Sequence, residues 1–215
     1  IDSLWEANME LLGKEPEFDI RGDDSTRIYA RNNALPSSYI SEDAKIYNSF
    51  VAEGCEVFGE VKGCGNTCDA HHVTAPHPEG RGAIACMHAA LADAGIEASQ
   101  IGYINAHGTS THLNDLTETM AFKLALGDKA YDASISSTKS MTGHMLGATG
   151  AIEAIAAVKA IEDGVIPPTI NLDEPDEGLD LDYTPKTAKK RAVNVAASTN
   201  LGLGGHDACV VFKKI

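Results

Sequence analysis

SSTKSMTGHMLGATGAIEA, residues 136–154, carries a polar turn into an apolar run that continues to about residue 163. The spacing predicts a long helix over 144–163 with His144 at its N-terminus. The helix dipole disfavours a positive imidazole at that point. A neutral histidine so placed can donate a hydrogen bond to a developing oxyanion. Gly143, Gly147, Gly150 and Ala154 recur at spacings of four, three and four, a small-residue face on which another backbone can pack. Glu153 lies about 120° around the helix from the polar group Lys159, Glu162 and Asp163, so it is expected to be buried and to need a partner. Lys139 is the natural candidate. The pair reads either as a structural tie or as part of a functional site whose titration the surroundings perturb.

Working outward, the chain alternates strand and helix. A strand is expected over about 55–64, and a helix over 81–94 with Ile84, Met87 and Leu91 on one face and Gly95 as its stop. The strand IGYINA (101–106) leads to a helix over 113–126 expected to carry Leu113, Leu116, Met120 and Leu124 inward. The strand ASISS (133–137) precedes the long helix, and Pro167 and Pro168 then break the chain before the acidic loop NLDEPDEGLDLD (171–182). AVNVAAS (192–198) and ACVVF (208–212) close the pattern on either side of a glycine-rich turn, which reads as a tight hairpin. The order β-α-β-α-β-α-β-β implies an α/β layered sheet. In YINAHGTST (103–111), His107 sits just past the carboxyl end of a strand, the edge where ligands of open α/β sheets gather. Gly108 permits close backbone approach, and Thr109 and Thr111 supply hydroxyls. A structural hydrogen-bonding role for His107 is the plainer reading.

With 43% hydrophobic and 22% charged residues, the composition is that of a soluble globular chain of 215 residues. A formal net charge of −14 argues against nucleic acid, which needs a clustered basic face. No apolar run approaches the roughly 18–20 residues that span a bilayer. The opening IDSLWEANMELL is acidic and amphipathic, unlike a signal peptide, and without an initiator Met the chain reads as a fragment. The five cysteines, Cys55, Cys64, Cys68, Cys86 and Cys209, read as reduced thiols of a cytoplasmic protein. The run Cys64, Cys68, His71, His72, His77 has irregular spacing for zinc and reads as an ordinary loop. His88 is expected to be packed or half-exposed, and the acidic run 173–182 to be a solvated loop. Lys186, Lys189, Lys190 and Arg191 form the basic cluster, either a solvated face or a docking patch for an acidic partner.

Together and in this order, NAHGTST (105–111), SSTKSMTGH (136–144), LGATG (146–150) and STNLGLGGHDACVVF (198–212) resemble the ketosynthase family of the thiolase-like fold. GNTCDAHHVTAPHPEG (65–80) and AAVKAIEDGVIPPTINLDEPD (156–176) match the family's layout as well. The resemblance covers about residues 64–215 and implies the C-terminal half of that fold. It implies that His107 and His144 assist decarboxylation of a malonyl carrier and stabilise the enolate or oxyanion, with Lys139 and Glu153 as a supporting ion pair. It places Thr109 and Thr111 against the phosphopantetheine arm of acyl carrier protein, the substrate carrier, with no other cofactor and no metal. Leu201 and Leu203 stand where the family usually has phenylalanines, the first gating the acyl pocket, and His206 and Asp207 replace its usual Thr-Asn. The family's nucleophilic cysteine lies in its other half at a sharp strand-to-helix turn, and none of the five cysteines here resembles that setting. The implied function is a β-ketoacyl synthase-type acyltransferase half acting in fatty acid synthesis, made incomplete by the missing cysteine. A non-catalytic carrier-binding or dimerisation module is the alternative. Acyl carrier protein, self-association and a separate N-terminal ketosynthase half are the implied partners. A lone half is expected to expose an apolar face and to associate.

Residues 1–62 resemble a different family. A helix over 1–12 with Leu4, Trp5, Met9, Leu11 and Leu12 on one side precedes a turn-rich stretch. Ile40, Ile46, Val51 and Val57 then recur at five or six, the spacing of a left-handed parallel β-helix coil. SLWEANMELL (3–12) and RIYARNNALPSSYISEDAKIYNSFVAEGCEVFGEV (27–61) are similar to bacterial ADP-glucose pyrophosphorylases, at the passage from the catalytic domain into the β-helix. That implies domains at 1–62 and 63–215, a chimera with its seam near EVKGCGN (60–66), and, as a third function, a glucose-1-phosphate adenylyltransferase fragment of glycogen synthesis.

Overall fold

The computed structural model describes residues 59–215. The helix expected over 1–12, the β-helix coil over 40–57 and Cys55 lie outside them. The elements are β1 (Glu60–Cys68), α1 (Arg81–Ala94), β2 (Tyr103–Asn105), α2 (His112–Leu126), β3 (Ser134–Ser136), α3 (Lys139–Thr142), α4 (Thr149–Asp163), β4 (Val165–Ile166), β5 (Lys189–Lys190), β6 (Val195–Leu201) and β7 (His206–Lys213). Five strands form one sheet in the order β1-β7-β6-β2-β3. The β1–β7 and β7–β6 pairs are antiparallel, whereas β6–β2 and β2–β3 are parallel. Strand alternation divides the core in two. Ile104, Ile135, Val195, Ala197 and Val211 pack with α1 and α2 residues Cys86, Met87, Ala90, Phe122 and Leu126. On the opposite face, Tyr103, Ala196 and Phe212 meet Ala157, Ala160 and Ile161 of α4. Among the described residues no helix is long and apolar enough to cross a membrane.

Glycine sets how closely α1 lies on β1. A Cβ on Gly65 would fall 2.0 Å from the Cys86 carbonyl oxygen and 2.8 Å from the Ala90 amide nitrogen. The buried face of α1 is correspondingly small: Gly82, Cys86, Met87, Ala90 and Ala94. Ile84 and Leu91, expected on that face, are half-buried at its margin, and His88 is exposed. Gly95 ends the helix in the left-handed conformation, as the sequence predicts.

Several expectations need correction. The long helix begins at Thr149, not at 144. Gly143 and Leu146 adopt φ of 73° and 51°, which takes the chain off the helical path, so His144 precedes the helix in a loop. Gly143 and Gly147 therefore share no helical face with Gly150 and Ala154. On α2 the expected face is only half inward: Leu116 and Met120 are half-buried but Leu113 and Leu124 are 64% and 59% exposed, while Asn114, Thr117, Glu118, Ala121 and Phe122 are buried. Cys64 and Cys68, expected to begin an ordinary loop, both lie on β1, and Cys209 sits within β7 rather than at its start. The acidic loop is solvated as expected, with Asp173 to Gly178 exposed, and it is also tied down by ion pairs. Asp182 pairs with Lys189 at 2.6 Å and accepts the Ser134 hydroxyl, Asp173 pairs with Lys186 at 2.8 Å, and Asp180 pairs with Lys123. With Arg191 donating to Ser134 Oγ and the Asp132 carbonyl, most of the basic cluster serves internal contacts. The loop before α1 is likewise ordered by its own groups: His72 Nδ1 accepts the Thr74 and Ala75 amides, and His77 Nδ1 accepts that of Glu79.

Two carboxylates converge on the first turn of α1. Asp69 accepts the amides of His77 and Gly82 at 2.6 and 2.9 Å. A Cβ on Gly82 would lie 2.1 Å from Asp207 Oδ2 and 2.4 Å from Asp69 Oδ1. Asp207 is buried, and its Oδ1 has no hydrogen-bond partner. Burial, then the charge of Asp69, pushes its carboxyl up to about 6 from an ordinary 3.8. The folded state thus binds this proton more tightly than the unfolded chain. The associated stability is complete below about pH 4 and is lost as pH rises through about 6. Asp207→Asn, which carries no charge, is expected to raise stability at pH 8 by about 1–3 kcal/mol and to leave it little changed at pH 4. Urea unfolding at the two pH values measures the difference.

Candidate active site

The carboxyl ends of the parallel strands β6, β2 and β3 converge on one edge of the sheet, and the segments leaving them carry the polar residues. His107 lies two residues beyond β2, Lys139 opens α3 just after β3, and Asn200 lies near the end of β6. The turn after β2 is held by Glu118 of α2, which is 3% exposed. Its carboxylate accepts the amides of His107 and Gly108 at 2.7 and 2.9 Å and the Thr199 hydroxyl at 2.9 Å. Burial pushes the Glu118 carboxyl up, and these donated hydrogen bonds oppose it. Ser137 completes the grip by donating to the Gly108 carbonyl at 2.8 Å.

His107 is buried and His144 exposed, and their rings meet edge to face with centroids 5.5 Å apart. Burial first, and then the charge of Lys139, pushes His107 down to about 4, so its imidazole is neutral at pH 7. His144 is neither buried nor on a helix terminus, which removes the dipole argument made from the sequence. Its orientation comes from its own loop: Nδ1 accepts the Leu146 amide at 3.1 Å, which leaves Nε2 as the N–H donor. Lys139 Nζ donates to Glu153 Oε1 at 2.5 Å, with both side chains almost wholly inaccessible. Asn200 Nδ2 donates to Glu153 Oε2 at 2.7 Å, and Asn200 Oδ1 lies 3.4 Å from His107 Nδ1. Burial pushes the Glu153 carboxyl up, and its hydrogen bond from Lys139 works against that.

Beside this network is a cavity of about 350 Å³ bordered by Gly108, Thr109, Lys139, His144, Phe122 and Tyr183. Thr109 and Thr111 place their hydroxyls 3.0 Å apart. Thr109 borders the cavity and Thr111 is exposed. Thus the fold brings His107, His144, Lys139 and Glu153 together, with Thr109 alongside. Leu203 is 69% exposed, and Leu201 borders a separate small crevice with Cys86, Asp207 and Cys209. Glu118 and Asn200 escaped the sequence reading. The available signal was an acid between two threonines, Thr117–Glu118–Thr119, mid-helix, where a solvent-facing residue would be assumed. Among the described cysteines, Cys86 and Cys209 are buried, and burial pushes the Cys86 thiol up to about 11 and the Cys209 thiol up as well. Neither is an activated nucleophile. Among the described residues no group of three His, Cys, Asp or Glu side chains is placed to hold a metal ion.

The family model described as β-ketoacyl synthase, C-terminal domain, matches residues 58–173. The 3-oxoacyl-[acyl-carrier-protein] synthase 2 of Synechocystis sp. is 52% identical over 166 residues, covering 77% of this chain and 40% of its own length. The protein of the same name from Vibrio harveyi is 46% identical over 170 residues, covering 79% and 41%. Among solved structures, a type II polyketide synthase acyl-carrier protein in complex with its ketosynthase bound to the hexaketide matches with a TM-score of 0.73 at 37% identity, covering 75% of this chain and 40% of that one. A β-ketoacyl synthase from Burkholderia phymatum matches with a TM-score of 0.69 at 34% identity, covering 74% and 38%. The chain spans about 40% of the length of the curated relatives it matches.

Removing one partner of the buried ion pair leaves an uncompensated charge. Glu153→Gln is expected to destabilise the domain by about 3–5 kcal/mol, whereas the double replacement Lys139→Met with Glu153→Leu should lose much less. Chemical denaturation of the two variants against the unsubstituted chain gives both values.

Proposed function

The chain belongs to the β-ketoacyl synthase family, and from that premise we propose that residues 63–215 are the half of an acyltransferase that activates malonyl-acyl carrier protein for condensation with an acyl thioester in fatty acid synthesis. The described residues have the fold of the C-terminal half of a thiolase-like ketosynthase. One observation carries the functional reading: the edge-to-face pair His107 and His144, backed by the buried Lys139–Glu153 tie at the carboxyl edge of the parallel strands. In the proposed reaction the bond to the malonyl carboxyl carbon breaks and carbon dioxide leaves. The electron pair moves onto the thioester as an enolate, and His144 Nε2–H donates to the developing oxyanion. The enolate carbon then attacks an acyl thioester carried on the cysteine of the family's other half, and the cysteine thiolate is released. Lys139 and Glu153 hold the surrounding segments in place, and Thr109 and Thr111 lie along the phosphopantetheine arm. Leu201 and Leu203 flank the acyl entrance. The partner is acyl carrier protein, a reading supported by the complexed relative, and the setting is the cytoplasm.

A second reading is a non-catalytic carrier-binding or dimerisation module. It is favoured by large apolar side chains left exposed on α2 and α4, among them Leu113, Leu124, Ile152 and Ile155. Under the first reading the same faces meet an N-terminal ketosynthase half. Mixing the chain with a separately expressed N-terminal half separates the two. Condensation of acyl and malonyl thioesters is expected to appear, and to fall by at least about 10²-fold with His107→Ala or His144→Ala. A mixture that forms a native complex without condensation would instead support the module.

For residues 1–62 we propose an origin in the adenylyltransferase passage described above, with domains divided near residue 62. Its support is the sequence of 3–12 and 27–61. One continuous read of the source DNA across codons 40–80 is expected to carry the seam in single molecules. A seamless read into an upstream ketosynthase half would overturn the chimera.

A further inference from the structure

We propose that Asn200 is a positioning residue that holds His107 in the Nδ1–H tautomer and leaves His107 Nε2 as the proton-accepting atom of the histidine pair. The argument begins at Glu153, whose carboxylate offers only acceptors. Asn200 approaches Glu153 Oε2 at 2.7 Å, so the end of the amide facing it is the NH₂ group. Its oxygen must then be the atom facing His107 Nδ1 at 3.4 Å. An amide oxygen only accepts, so Nδ1 carries the hydrogen and Nε2 the lone pair. Glu153 cannot turn to relax this constraint, because its other oxygen is held by Lys139 at 2.5 Å in a buried pair. Orientation therefore passes from Lys139 through Glu153 and Asn200 to His107.

His144 is set the opposite way. The Leu146 amide donates to its Nδ1, so its Nε2 carries the hydrogen. The two imidazoles in edge-to-face contact thus present one acceptor and one donor rather than two alike groups. The division of labour rests on the proposed function: His144 Nε2–H serves the enolate oxygen, while His107 Nε2 can accept a hydrogen bond or a proton. The tautomers themselves do not depend on that reading. Asn200 also bridges β6 to the segment after β2 and to α4, and its position at the edge of the glycine-rich turn couples the hairpin to the histidine.

The test is nitrogen NMR on the full chain labelled at histidine ring nitrogens, at pH 7, with His107→Gln and His144→Gln identifying the two rings. In the unsubstituted chain, His107 is expected to show its attached hydrogen on Nδ1, and His144 on Nε2. Asn200→Ala should lose the Nδ1–H form as the major species of His107 without altering His144. Asn200→Asp, which keeps an oxygen acceptor, should retain it. An Nε2–H His107 in the unsubstituted chain would overturn the proposal without any variant having to fold. An unchanged His107 in Asn200→Ala would overturn the role of Asn200. Failure of the mixed-half condensation with the expected tautomers present would count against the proposed function and leave this inference standing.

Discussion

The buried tie between Lys139 and Glu153 organises the functional edge of this molecule. Two opposite charges are withdrawn from water at that point, and their mutual attraction offsets the desolvation only because the geometry is short and the second carboxylate oxygen is also satisfied. The tie joins the first turn after β3 to α4 and, through Asn200, to the end of β6. Three segments distant in sequence are thereby held at one edge of the sheet. His107 and His144 owe their relation to this arrangement, one reached through Asn200 and the other by the loop that leads into α4.

A second carboxylate does comparable work for the other loop. Glu118 accepts two consecutive amides of the turn after β2, and these would otherwise be orphaned in an apolar setting. The same residue accepts the Thr199 hydroxyl, so the turn is also tied to β6. A rigid turn and a rigid helix entrance place a buried imidazole against an exposed one. Burial, with the charge of Lys139, keeps His107 neutral, a state suited to hydrogen bonding rather than to charge pairing.

The distribution of apolar surface follows from the same construction. The inward face of α2 carries Glu118, which grips the turn, and Asn114, which donates to its carboxylate, with Ala121 and Phe122 reaching the core. Leu113 and Leu124 are displaced to the outside. Together with Ile152 and Ile155 on α4, they leave apolar groups exposed on a chain that spans about 40% of its curated relatives. A helix that serves a polar turn on one side and another surface on the other shows no single apolar stripe.

Much of the fold was legible in the sequence. Element order, the strand after which His107 falls, the stop at Gly95 and the hairpin between β6 and β7 all rest on local periodicity and turn chemistry. The Lys139–Glu153 partnership was legible too, because a lone acid in an apolar helical run needs a cation and one stood close by. What the sequence by itself determined was therefore the order of the five main strands and three long helices and the motifs at their ends, but not the short α3 or the β4–β5 pair. Only the tertiary structure decided which side of α2 is buried, where α4 begins, and that Glu118 and Asn200 belong to the site. The first and last of these depend on packing between elements: α2 turns its carboxylate inward because the amides of the neighbouring β2 turn need an acceptor, and Asn200 gains its role only where β6 meets α4, whereas the start of α4 follows from the backbone angles at Gly143 and Leu146.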